Sequence, residues 1–327
     1  MSGTNRCPTG SATVRSACSI EQVQPLLLEH VNLNVPDADA ARDFYVHGLG
    51  GMENPVGTNA RQLHVNVGAS QFHLPFKASF KQNEPVSVPQ VWPGSIVLWT
   101  SEELQEVQAR LGAAATVKAD TDGKIELRCI CPWGNVLTLR QAPADFSVVG
   151  RHHGGHSRLV AMPSVVVEVR PGAAVGIMRF YTLVLGCPAR VHNRVGGTRC
   201  CTVAFDDDQM LHFEESETAP ALDAYNHEEA FASHVCIYLA TDDAFAAAFE
   251  RCLAAGVIYV NQRFEGGPLE FASATTWEEA RACGQFRLKD MVDVTTGEVA
   301  LVMEHEVRSP RHKSCPRKPE NMKCTRE

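Results

Sequence analysis

The stretch EHVNLNVPDADAARDFYVHGLGG, residues 29–51, decides how this chain is read. Its first third alternates: Val31, Leu33 and Val35 are apolar while His30, Asn32 and Asn34 are polar, the period of a strand buried on one face. Asp37 can then cap a helix. Ala41, Phe44, Tyr45 and Leu49 fall on one helical face before Gly48, Gly50 and Gly51 stop it. Two further alternating runs, 61–67 and 70–76, follow with Gly68 between them and predict a hairpin. The segment therefore opens a β-α-β-β-β unit.

The same unit recurs along the chain. Ala41-Arg42-Asp43-Phe44-Tyr45 with Leu49-Gly50 returns as Met178-Arg179-Phe180-Tyr181 with Leu185-Gly186, at an offset of 136 residues. Thr100-Ser101-Glu102-Glu103 before Leu111 returns as Thr241-Asp242-Asp243 before Leu253, at 141 to 142. Two unrelated motifs repeating at nearly one distance indicate a duplicated domain of about 140 residues. Each copy splits again. A second unit begins at Ser95 and closes around Pro132-Trp133-Gly134, a third runs from Ser164 to Phe213, and a fourth from His234 to Val307. The expected fold class is α+β, four βαβββ modules paired into two domains. The expected organisation is a disordered extension over 1–24, a first domain over 25–145, a Gly- and His-rich linker over 146–160, a second domain over 161–308, and a disordered basic tail over 309–327.

Composition narrows the class. A chain of 327 residues, 44% hydrophobic, can bury one large core or two ordinary ones. A formal charge of −8 gives no general attraction to nucleic acid or an anionic membrane. No stretch reaches the ~18 apolar residues of a membrane span. The twelve cysteines include adjacent Cys200-Cys201 and alternating Cys129 and Cys131, which read as reduced thiols and not as a disulfide framework. A cytoplasmic location is expected, with an organellar transit peptide left open by the acid-poor start.

His30-Val31-Asn32-Leu33-Asn34-Val35-Pro36-Asp37, the helix ending in Phe44-Tyr45…Leu49-Gly50, and the turn Pro132-Trp133-Gly134-Asn135-Val136 together resemble the vicinal-oxygen-chelate superfamily. That superfamily holds glyoxalase I, bleomycin-resistance proteins, fosfomycin-resistance enzymes and extradiol dioxygenases. The resemblance covers about residues 25–308. It implies that two units face each other as a cup around a divalent cation, with ligands from the first and last strands of each unit.

At those positions unit one has His30 and His73, and unit two has about Pro93 and Thr138. Unit three has Ser164 and His212, and unit four has His234 and the run Met303-Glu304-His305-Glu306. If unit one faces unit four, one cup collects His30, His73, His234 and Glu304. If units pair in sequence order, His212, His234 and Glu304 form the set. Glu304 is taken as the last-strand ligand and as the candidate catalytic group that moves a proton, with His305 and Glu306 as alternatives. A strand histidine is more often a half-buried structural side chain, so His64, and the linker residues His152, His153 and His156, carry less weight.

The resemblance implies a metal-dependent lyase or isomerase of glyoxalase type, using Zn, Ni, Mn or Fe(II), on a small molecule with vicinal oxygens. A non-haem Fe(II) dioxygenase and a metal-free small-molecule binder are the alternatives. Neither a nucleic acid nor a membrane is an expected partner, and a monomer can complete its own cups.

Overall fold

The computed structural model describes residues 20–78, 84–120, 122–147, 149–151, 157–206, 208–220, 233–264, 274–317 and 322–324. The expected Gly- and His-rich run 152–156 and the loop 265–273 lie outside them.

Unit one forms as its pattern dictates. The strand Leu27–Asn32 is followed by a helix over Ala38–Arg42, whose first amides at Asp39 and Ala40 are accepted by the Asp37 carboxylate. The helix then widens into a π-helical turn over Asp43–Gly48. The same widening occurs in the third unit over Phe180–Leu185. In both copies the turn places a Phe-Tyr pair, Phe44-Tyr45 and Phe180-Tyr181, into the core. The hairpin of Gln62–Val67 and Ser70–Pro75 completes the unit.

The four units assemble into two sheets. In the first, the strands of unit one join those of unit four: Leu27–Asn32 pairs antiparallel with His234–Tyr238, which lies parallel to Val299–Arg308, itself antiparallel to Gln285–Val292. In the second, units two and three meet in the same way, Gly94–Thr100 pairing antiparallel with Leu159–Val169. The pairing is one with four and two with three, so each sheet takes one unit from each half of the chain.

One apolar core joins both sheets. Helix Ala173–Arg179 packs against strands of both. Buried Gln209 spans them as well: its side-chain oxygen accepts from the Leu28 amide at 3.1 Å, and its nitrogen donates to Leu28 O, Ser70 Oγ and Met162 O.

The C-terminal stretch departs from expectation. Residues 309–317 pack onto the first sheet and do not extend into solvent. Cys315 is buried against Leu27, Cys236 and Tyr238, and His312 Nδ1 meets the Tyr238 hydroxyl at 3.2 Å. The basic, proline-rich composition had masked these two inward-facing anchors. Further on, Met322–Cys324 pairs with Val149–Arg151 from the expected linker. At the other end, the Val23 amide donates to Gly186 O, so the last residues before the first strand are also held. Nine cysteines from Cys129 to Cys315 are free thiols. Among the described residues no helix is long and apolar enough to cross a membrane.

Candidate metal centre

The first sheet curves around a cavity of about 790 Å³. Its floor is set by strand alternation. His30 and Cys236 are opposite one another on the two central strands, as are Asn32 and His234. A bulge between Leu28 and His30 turns Glu29 as well as His30 toward this region, and both are buried.

His30 Nδ1 lies 2.5 Å from a Glu29 oxygen. A carboxylate there accepts the Nδ1 proton and leaves the Nε2 lone pair pointing the other way. That Nε2 meets His234 Nε2 at 3.3 Å. Two nitrogens bound to one ion at about 2.1 Å stand roughly 3.0–3.4 Å apart at octahedral or tetrahedral angles. The two imidazoles are therefore spaced as a ligand pair. A Glu306 oxygen lies 3.9 Å from His234 Nε2, and His30, His234 and Glu306 bring one donor atom each within 4.8 Å of one another. Burial holds both imidazoles below their ordinary range, His30 to about 3, so each is neutral and offers a lone pair. The donor types and spacing fit a divalent ion.

His73 is stacked on His30 with ring centroids 3.6 Å apart, and His64 is stacked on His73 at 3.7 Å. His73 Nε2 donates to Gln71 Oε1 at 3.0 Å. Glu29, His30 and His73 form the second group of donors within 4.8 Å, and both such groups among the described residues belong to this sheet.

Glu304 stands differently. It is 1% exposed, accepts from Asn261 Nδ2 at 3.0 and 2.9 Å, and accepts from Arg287 at 2.5 Å. It is absent from both donor groups and from the cavity wall. Its bonds to Asn261 and Arg287 hold the carboxylate away from the histidine pair, although the register sets it next to His234. Gln71 stands beside His30 as Glu304 stands beside His234, while His73 corresponds to Glu306. The two last-strand residues chosen from sequence, His73 and Glu304, are thus two positions out of register with each other. Aligning Gln71-Phe72-His73 with Glu304-His305-Glu306 is the sequence signal that would have shown it. His305 faces the core, bonded to the Tyr181 hydroxyl at 2.6 Å.

Sequence reasoning passed over the arginines. Arg287 bridges Glu304 and Glu306, and Arg308 binds Glu306 at 2.6 Å and Glu29 at 3.3 Å. Burial by itself would raise the Glu306 carboxyl, but the two guanidiniums hold it well below the usual carboxylate range. The alternation Glu304, Glu306, Arg308 within an apolar strand was the visible hint.

In the second sheet the central strands pair Ser164 with Val97 and Met210, and Val97 with Thr138. His212 bonds the Thr202 hydroxyl at 2.8 Å.

No family model and no curated protein matches the sequence. Solved structures do match in shape. Glyoxalase I from Zea mays is 12% identical with a TM-score of 0.51, over 88% of this chain and 92% of that one. A Bacillus subtilis protein described as a candidate dioxygenase is 10% identical with a TM-score of 0.52, over 88% and 86%. The chain has the vicinal-oxygen-chelate fold. At these identities the likeness is one of fold, and any activity must be argued from the cup itself.

Proposed function

We propose that the first cup is the site of a metal-dependent enzyme of lyase or isomerase type, acting on a small molecule with two adjacent oxygens. His30, His234 and Glu306 would hold the ion. The observation that carries this reading is the 3.3 Å approach of His30 Nε2 to His234 Nε2, with Glu29 fixing the His30 tautomer.

A bound divalent ion supplies Lewis acidity where negative charge develops on a substrate oxygen. The chain's own groups do the rest. Arg287 and Arg308 keep Glu306 ionised and fix its direction. Glu304 and Asn261 position Arg287. His73, a neutral imidazole on the cavity wall, is placed to accept a hydrogen bond from a ligand.

Two other readings rest on specific features. The two-His-one-carboxylate set also suits a non-haem Fe(II) dioxygenase. The double arginine clamp on Glu306 suits a metal-free binder, since two guanidiniums repel a dication.

The test is metal stoichiometry of the full chain after chelation and reconstitution with Zn, Ni, Mn or Fe(II). The expected result is near one ion per chain in the wild type and below about a tenth in His30→Ala/His234→Ala. A wild-type value below about a tenth with every metal overturns the enzyme reading and leaves the binder. Oxygen consumption that requires both bound Fe(II) and an added catechol would favour the dioxygenase.

A further inference from the structure

The wall of the first cup is cationic. Arg61, Lys77, Arg263, Arg287, Arg308 and Lys313 line it, against the carboxylates of Glu29 and Glu306, with Glu304 just behind. The acids are bound by two buried arginines, Arg287 and Arg308. Arg263 is also buried, and it donates to the side-chain oxygen of Asn34 at 3.1 Å and the carbonyl of Lys77 at 2.9 Å. Among the described residues, positive charge therefore exceeds negative in a concave site whose low-dielectric walls focus the field. This stands out in a chain whose overall charge is −8.

The cation at the rim is delivered by the segment that follows the last strand. Ser309 Oγ donates to Asp242 at 2.6 Å and its amide donates to Gly284 O at 2.9 Å, while His312 and Cys315 are buried. Lys313, between these anchors, is exposed and still lines the cavity. A fastened segment that turns one lysine toward a cationic cup fits a ligand-holding arm.

We propose that the cup takes a small molecule carrying a carboxylate or phosphate, and that Lys313 of the C-terminal segment is one of the cations that bind it. This deepens the reading of the first cup as the ligand site and does not depend on a metal being present.

The test is calorimetric titration of the metal-stripped full chain with inorganic phosphate, with succinate, and with succinamide as the uncharged counterpart. An anion binds and succinamide does not; the tighter of phosphate and succinate tells which oxyanion the cup prefers. Lys313→Glu and Arg61→Glu each weaken anion binding about tenfold or more, and Lys313→Arg retains it. Lys313 is exposed, so a melting curve matching that of the wild type verifies that Lys313→Glu is folded. Equal binding of succinate and succinamide, or binding of neither anion at about 10 mM, overturns the proposal. Wild-type affinity in Lys313→Glu overturns the role of the segment. Metal stoichiometry measured on the same preparations reports separately on the enzyme reading.

Discussion

Arg287 is the side chain on which most of the cup's electrostatics converge. It is 2% exposed and holds two carboxylates from the neighbouring strand, Glu304 and Glu306. Removing it leaves two buried charges short of their partner. Arg287→Ala should therefore cost about 3–5 kcal/mol, read as a lowered urea midpoint at unchanged slope. A loss under about 1 kcal/mol would mean that water or a rearranged Arg308 compensates. The imidazole stack is equally sensitive to its cover. A Cβ placed on Gly57 would lie 2.1 Å from His64 Nδ1, so Gly57→Ala must push His64 or its loop aside. The expected loss is about 1–3 kcal/mol, and the His64 and His73 imidazole resonances should shift in an NMR spectrum.

At the level of elements, most of what formed was written in the sequence. Strand alternation located Gln62–Val67 and Ser70–Pro75 to within a residue, because a period of 2 is local information. The π-helical widening at Asp43–Gly48 was not legible, since nothing in the apolar spacing distinguishes it from an α-turn. The hairpin turn shows why one glycine cannot be replaced. Gly68 has φ +58°, and a Cβ there would lie 2.0 Å from Val160 O on the other sheet. Gly68→Ala should destabilise by about 2 kcal/mol or more, seen as a lower thermal midpoint, by adding backbone strain to a sheet-to-sheet clash. An unchanged midpoint would mean that the two sheets separate easily at this corner.

At the level of the molecule, buried neutral histidines couple folding to pH. Burial lowers His64 to about 3, His212 to about 4 and His305 to about 4, against an ordinary value of 6.5. Between those values the unfolded chain binds protons that the folded chain does not. The stability they contribute is complete above about pH 6.5 and is lost as pH falls toward the folded values, at up to ~1.4 kcal/mol per pH unit for each histidine. Urea midpoints of the metal-free protein should fall from pH 7.5 to pH 5, and His64→Gln should flatten the slope. A level profile would contradict the burial of these rings.

The sequence by itself set out the recurring βαβββ unit and the concentration of His30, His73 and His234 in the first and fourth units. These follow from patterns that span a few residues or repeat at a fixed distance. The tertiary structure decided that unit one meets unit four, that Glu306 and not Glu304 reaches the histidine pair, and that Arg263, Arg287 and Arg308 crowd the same cup. It also brought Lys313 to the rim from a tail whose composition reads as solvent. The physical reason is side-chain partnering. A displacement of two residues along a strand keeps a side chain on the same face, so alternation cannot choose between Glu304 and Glu306. Pairing sets Glu304 beside His234 and Glu306 beside Cys236, and the bonds of Glu304 to Asn261 and Arg287 leave Glu306 as the carboxylate that meets the histidine pair.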